Sequence, residues 1–181
     1  MPDPTPNDGL IEVKLRELNQ LFNSMDPSPF HERDLDRDAE EFIVSWAQEH
    51  PRQHDLRLVV HLAQPPLGIA EPQKLVSDSL AHYFNYRAEI MMHGFHRLMR
   101  EGRAALLVGL AFLVLCQIGA TLIGAVPGWR GVSREGLTIL GWVAMWRPLE
   151  IYLYRWWPLL AQRRLLLRLA KMPVEVRCAT P

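Results

Sequence analysis

The chain has 181 residues with 20 Lys/Arg and 20 Asp/Glu, so its formal net charge is zero. This balance hides two unlike halves, since residues 1–102 carry 10 basic and 17 acidic side chains and residues 103–181 carry 10 and 3. An acidic soluble half argues against nucleic-acid binding, which needs a basic patch on the folded domain. The two cysteines, Cys116 and Cys178, cannot form a disulfide framework and have no metal-ligand spacing around them.

Residues 1–9 are rich in proline and aspartate. They contain neither the basic stretch nor the apolar core of a secretory signal. We therefore predict a disordered leader and an N-terminal half that stays in the cytoplasm.

Residues 10–63 have the pattern of a small α/β cap. The apolar residues of Leu10–Leu18 alternate as in a strand but also recur at helical spacing. We favour the strand, followed by a helical turn. A helix is predicted after Asp36 and through Ala47. The β-branched run Leu56–Leu62 predicts the second strand of the cap.

A linker and a long helix follow the cap. The proline-rich stretch 64–72 predicts the linker, and residues 73–103 predict an amphipathic helix that leads into the membrane. The apolar stripe of this helix consists of Val76, Leu80, Phe84, Ala88, Met91, Phe95 and Leu98. Because the cap is small, we expect it to pack on this helix or on a second copy of itself.

Residues 104–126 carry the strongest membrane signal in the chain. None of these 23 residues is charged, and at about 1.5 Å per residue they can cross a hydrocarbon layer of roughly 30 Å. A loop, 127–135, leads to a second span at 136–157, which contains a polar break at 147–150. The fold class predicted is a mainly α membrane protein, in which a two-helix transmembrane hairpin follows the cap and the long amphipathic helix.

Basic residues near the ends of the two spans give the orientation. Eight Lys/Arg lie near the ends of the spans that lead to the two termini, and two lie in the loop between the spans. The positive-inside rule therefore places both termini, including the basic cytoplasmic or interfacial tail at 158–181, in the cytoplasm. Aromatic residues, which favour the headgroup level, crowd the second span: Trp142, Trp146, Tyr152, Tyr154, Trp156 and Trp157.

Four segments carry a resemblance to known proteins: DPSPFHERDLDRDAEEFIVSWA, LRLVVHL, LGWVAMWRPLEIYLYRWWPL and MPVEVR. With these segments the chain resembles, over most of its length, an uncharacterised group of small bacterial two-helix inner-membrane proteins. The resemblance implies a bacterial inner-membrane origin and the two-helix topology, and the orientation predicted from the basic residues then places the loop 127–135 in the periplasm. It implies no activity, substrate or catalytic residue.

Arg147 and Glu150 are the main candidates for a binding site. Ionisable groups inside membrane segments usually pair or face a protein interior, and residues three apart on a helix can pair. Pro148 removes a backbone donor between them and permits a kink. Together with Gln117 they predict either a polar hub for a partner helix, a lipid headgroup or an ion, or an interfacial pair at the end of a short span.

Two further polar patterns have ordinary explanations. Glu89, His93 and His96 have the i, i+4, i+7 spacing of metal ligands, but one helix supplies no enclosed shell, and we favour a solvated face without metal or other cofactor. The acidic run from Glu32 to Glu41 lacks the pattern of a calcium loop. It is typical of a helix N-terminus, where acids oppose the helix dipole.

No phosphate loop, nucleophile elbow or zinc-protease motif occurs in the sequence. We therefore predict a non-enzymatic membrane-anchored interaction or assembly protein, part of a larger membrane complex or a homo-oligomer. Its expected partners are lipids and other membrane subunits or itself. The alternatives are a small oligomeric channel or transporter component gated by the cap, with Gln117, Thr121 and Arg147 as candidates to face a pore, and a membrane enzyme that uses the histidine face.

Overall fold

The computed structural model describes residues 9–23, 25–27, 29, 33–49, 55–64, 66, 71–124 and 128–178. The predicted leader, apart from Gly9, and most of the predicted linker lie outside these residues. The chain divides into two compact units, which we call the sheet unit (Met1–Ile90 with Gln162–Pro181) and the helical unit (Met91–Ala161).

The sheet unit contains three parallel strands. They are β1 (Leu10–Leu15), β2 (Arg57–Leu62) and β3 (Val174–Cys178), in the order β1-β2-β3. Val60 in the central strand lies opposite Val13 in β1 and Val176 in β3. Four of the six β2 side chains are buried, and such a nearly continuous apolar run is typical of a strand in a parallel sheet.

Two of these strands confirm the predictions, and the third corrects them. The preferred interpretation of the first segment is right, because Leu10–Leu15 is a strand and a 3₁₀ helix follows at Leu18–Leu21. The second strand is also confirmed. The prediction of only two strands is wrong, because Val174–Cys178, placed in the C-terminal tail, pairs with β2. Its alternating apolar residues are few, and its partner lies more than a hundred residues earlier.

The helix predicted in the cap is α1 (Arg37–Glu49). Its start is stabilised by Asp36, whose side-chain carboxylate accepts a hydrogen bond from the backbone N–H of Asp38 at 3.0 Å. Ile43 and Ala47 are its buried residues, one turn apart, so α1 presents one apolar face to the core.

The long helix is also confirmed, as α2 (Pro72–Ile123), which continues without a break through the first apolar run. In the sheet unit the predicted stripe is buried, since Val76, Leu80, Phe84 and Ala88 are each no more than 2% exposed. These four residues therefore belong to the buried core of the sheet unit.

A polar contact within the sheet unit joins α1 to α2. The Tyr83 hydroxyl donates to Glu40 Oε2 at 2.7 Å, and Arg87 Nη2 donates to Glu40 Oε1 at 2.7 Å. Burial, reinforced by the hydrogen bond to Glu40, raises the pKa of Tyr83 above its ordinary value. Glu40 belongs to the acidic run, but its partners were not apparent from the sequence because they follow more than forty residues later.

We expect Glu40→Ala to lower the free energy of unfolding by about 1.5–3 kcal/mol, because it removes charge-assisted hydrogen bonds and leaves two donors without their acceptor. Glu41→Ala, at the exposed next residue, is the matched control.

Because folding raises the pKa of Tyr83, this residue stabilises the fold below the ordinary tyrosine pKa of about 10 and loses that contribution at higher pH. Unfolding curves between neutral and alkaline pH should show a steeper alkaline loss in the wild type than in Tyr83→Phe.

The helical unit contains the second part of α2, then α3 (Trp129–Ala144), α4 (Trp146–Glu150), a π-helical segment (Ile151–Arg155) and the start of α5 (Trp156–Leu169). Part of the predicted loop is wrong, because α3 begins at Trp129, so the described positions from 129 to 135 are helical. Gly128, with a φ of 99°, is the turn residue before α3, and no proline interrupts the helix that follows.

Candidate functional site

The surface of the helical unit is strongly apolar. Of the described helices, α2 is the one that is long and apolar enough to cross a membrane, and only 17% of its apolar stretch is buried. The stretch is therefore mostly exposed in this chain, which is consistent with a membrane span. The large exposed side chains on α2 include Leu107, Val108, Leu110, Phe112, Val114, Leu115, Ile118 and Leu122.

The second half of α2 packs against α3 and the segments after it. A methyl group on Gly119 would lie 3.4 Å from Leu137 Cδ1, and one on Gly102 would lie 3.0 Å from Ile151 Cγ2. As the residue number on α2 falls from 119 to 102, the residue number of its partner rises from 137 to 151, so the two helical segments run in opposite directions. We call this line of contacts the seam.

Among the described glycines of the seam, Gly109 is the one with a backbone atom of the facing segment nearest to it. A methyl group there would lie 3.0 Å from the carbonyl oxygen of Ala144. Pro148 has no N–H, so this carbonyl lacks the donor that a regular helix would provide four residues later. Because Gly109 has no side chain, α2 can pack closely against this carbonyl.

The seam is the feature that the sequence-based prediction missed. Its small and apolar residues follow one another at alternating spacings of three and four, as in a coiled coil. The residues at this spacing are Gly109, Leu113, Cys116 and Ala120 on α2, and Leu137, Gly141, Ala144, Pro148 and Ile151 on the facing segment. Small residues at such positions are typical of helices that pack closely within membranes, so this spacing was the available signal.

Arg147 and Glu150 are brought together, and Gln117 is not. Arg147 Nη1 lies 3.3 Å from Glu150 Oε2, and the two side chains are 58% and 38% exposed. Gln117 is exposed on α2, next to Cys116, which faces Gly141 in the seam. Arg147 comes six residues after Gly141, roughly 9 Å along the helix axis. The described contacts therefore hold a pair at the surface rather than a three-residue cluster.

The predicted aromatic residues lie mostly on the surface. Trp142, Trp146, Tyr154 and Trp157 are each more than 60% exposed. The π-helical segment lies among them, and such segments are frequent at functional sites. Its geometry is stabilised by Trp156, whose indole Nε1 donates to the carbonyl of Tyr152 at 2.8 Å and whose ring lies 4.9 Å from that of Trp157.

The low-ranked metal candidates Glu89, His93 and His96 are exposed on α2. His96 Nδ1 lies 2.8 Å from the carbonyl oxygen of Met92, within its own helix. Within the part of the chain that the structure describes, no group of three His, Cys, Asp or Glu side chains is placed to hold a metal ion.

Comparison with known proteins adds no function: no family model, no curated protein and no solved structure matches this chain.

Proposed function

We propose that this chain is a two-pass protein of the bacterial inner membrane, with both termini in the cytoplasm, and that it acts as a non-enzymatic interaction or assembly subunit. The first membrane-spanning segment is the apolar stretch of α2. The second is the helical path through α3 and α4 into the π-helical segment, on the other side of the seam. Together they form a transmembrane hairpin.

The observation that carries this topology is the pairing of β2 with β3. These strands precede and follow the helical segments in the chain, yet they are neighbours in one parallel sheet. If α2 crosses a membrane, the chain has to cross back before Val174, because two hydrogen-bonded strands lie on one side. The pairing thus requires an even number of crossings, and we assign the return crossing to the path from Trp129 to Arg155, which packs along the second half of α2.

The backbone of that return path supports a single spanning rod. Met145, where α3 and α4 meet, keeps helical torsion angles (φ −77°, ψ −10°), and so does Ile151 at the junction with the π-helical segment (φ −64°, ψ −50°). The rod therefore provides its own backbone hydrogen bonds along most of its length, as a segment within lipid must. The distribution of Lys/Arg supports cytoplasmic termini.

An assembly role is supported by the kind of surface that the helical unit presents. Its exposed Trp and Tyr side chains are the residue types most often found at the energetic centres of protein interfaces. Neither the sequence motifs nor the described polar contacts supply a nucleophile with a base. The Arg147–Glu150 pair is exposed, and such pairs contribute about 0–1 kcal/mol, so we assign the pair to the membrane interface.

Cysteine labelling in intact cells tests the topology. In a background of Cys116→Ala and Cys178→Ser, we expect Ser133→Cys to react with a membrane-impermeant maleimide added from outside, and Glu41→Cys to react only after the membrane is opened. A reporter fused after Pro181 should be cytoplasmic. Protection of position 133 in intact cells, with labelling after lysis, would overturn the two-pass proposal.

The assembly half of the proposal has its own readout in the same membranes. After extraction in mild detergent, native mass spectrometry should find the 20.9 kDa chain in a complex with further copies or with a second protein. A monodisperse single chain without a protein partner would contradict the assembly role and leave the topology standing.

A further inference from the structure

We propose that the helical unit binds the phosphate of an anionic phospholipid through Arg100, Arg103 and Arg155. The inference rests on the proposed membrane topology and deepens it by naming the lipid class. We call the region from Arg97 to Arg103, with the facing segment from Arg147 to Trp157, the arginine end of the helical unit.

The charges of the arginine end are unbalanced. It contains five arginines and two glutamates. Each glutamate already has a partner, because Arg97 pairs with Glu101 and Arg147 with Glu150, both at 3.3 Å. In the described part of the chain, the remaining arginines at 100, 103 and 155 have no ion pair, and all three are exposed. Three guanidinium groups thus remain for an anion that the protein itself does not supply.

The seam brings the two sides of the arginine end to one level. A methyl group on Gly102 would lie 3.0 Å from Ile151 Cγ2 and 3.4 Å from Tyr152 Cζ. Arg103 follows Gly102 directly, and Arg155 lies about one turn after Ile151. The three cations therefore fall within roughly 10 Å along the helix axis, which is a range comparable with the depth of one headgroup layer.

Aromatic donors lie at the same level. Tyr154 and Trp157 are 69% and 63% exposed, and among the described contacts neither the Tyr154 hydroxyl nor the Trp157 indole N–H has a hydrogen-bond partner. Trp and Tyr side chains favour the depth of the lipid headgroups. Trp156, in contrast, donates its indole N–H to the Tyr152 carbonyl, which stabilises this turn of the helix.

The chemistry favours an anionic phospholipid over a zwitterionic one. A guanidinium group matches the geometry of phosphate oxygens by donating two parallel hydrogen bonds. A phosphatidylcholine headgroup brings a choline cation with its phosphate, which the three unpaired arginines would repel, whereas phosphatidylglycerol brings a net negative charge. The opposite end of the helical unit has Arg130 and Arg134 with Glu135 between the spans and no comparable excess of charge.

Native mass spectrometry of the purified full chain, titrated with phosphatidylglycerol or with phosphatidylcholine of the same acyl chains, tests the inference. We expect wild type to retain phosphatidylglycerol at least about tenfold better, since each arginine near a membrane surface contributes severalfold to the affinity for anionic lipid. Arg100→Gln/Arg103→Gln/Arg155→Gln should abolish this preference. The matched control, Arg130→Gln/Arg134→Gln, should keep it.

Equal retention of the two lipids by wild type, or an unchanged preference in the triple variant, would overturn the inference. So would competition by soluble glycerol 3-phosphate at the concentration of the lipid, because the site would then recognise free phosphate. Labelling at position 133 separates this failure from that of the proposed function. If that position is labelled from outside and the lipid preference is absent, only the lipid assignment is wrong.

Discussion

Gly109→Leu is expected to open the seam and to lower the free energy of unfolding of the helical unit by about 1–3 kcal/mol, the usual cost of overpacking a close contact. Even a methyl group at this position would lie 3.0 Å from the Ala144 carbonyl oxygen and 3.3 Å from Met145 Sδ. The methionine can turn away, but the carbonyl belongs to a helix and cannot. The two helical segments would therefore have to separate.

Gly136→Leu provides the matched control. Gly136 is also a helical glycine of the helical unit, but a methyl group there has no neighbour within 4 Å. Thermal unfolding in one detergent, together with the yield of monodisperse protein, compares the two variants under equal conditions. We expect Gly109→Leu to unfold earlier and Gly136→Leu to behave like wild type. Equal behaviour of the two variants would mean that the seam does not hold the helices together.

A second position in the seam distinguishes a backbone obstacle from a side-chain obstacle. A methyl group on Gly141 would lie 2.9 Å from Leu113 Cδ1 and 3.1 Å from Cys116 Cβ, which are side-chain atoms. Gly141→Ala should therefore be partly rescued by Cys116→Gly, which removes one of the two. Gly109→Ala has no such rescue, because the atom it meets belongs to the backbone of its partner.

Local patterns in the sequence were sufficient for the elements that form within a short stretch of chain. Three such patterns were predicted correctly: the apolar stripe of α2, the acidic start of α1 and the β-branched run of β2. Each depends only on residues that are close together in the sequence. Contacts between distant segments produce no such local pattern in the sequence. The partner of Glu40 is Arg87, and the partner of β2 is β3, and in both cases the sequence shows the residue but not what it meets.

The seam was predictable in part, because its spacing is a local pattern but its contacts join distant segments. Its spacing of three and four is visible in the sequence, but the apolar signal of exposed residues such as Leu107 and Val108 masks it. The alignment of Gly109 with Ala144 depends on which turns face each other, which a single sequence does not specify. The placement of Gln117 relative to Arg147 could not be predicted for the same reason, since the two residues lie on segments whose register became known only from the structure.

Removal of β3 is expected to unfold the sheet unit. A chain that ends at Lys171 lacks Met172 and Val174, which are 6% and 8% exposed. Burial of each such side chain contributes about 1.5–3 kcal/mol, and the backbone hydrogen bonds between β2 and β3 are lost as well. A small domain is stable by only about 5–15 kcal/mol, so this loss takes a large share. β2 would also become an open edge, prone to pairing with other chains.

A chain that ends at Cys178 is the control, because it keeps every residue of β3. Limited trypsin digestion after Arg57, within β2, reports whether the sheet is intact, since a strand paired on both sides resists the protease. We expect rapid cleavage at Arg57 and aggregation in the chain ending at Lys171, and protection in the control. Equal protection in the two chains would mean that β3 is dispensable. The requirement for an even number of membrane crossings would then lose its structural basis. Only paired strands oblige the chain to return to the side of the membrane from which it left.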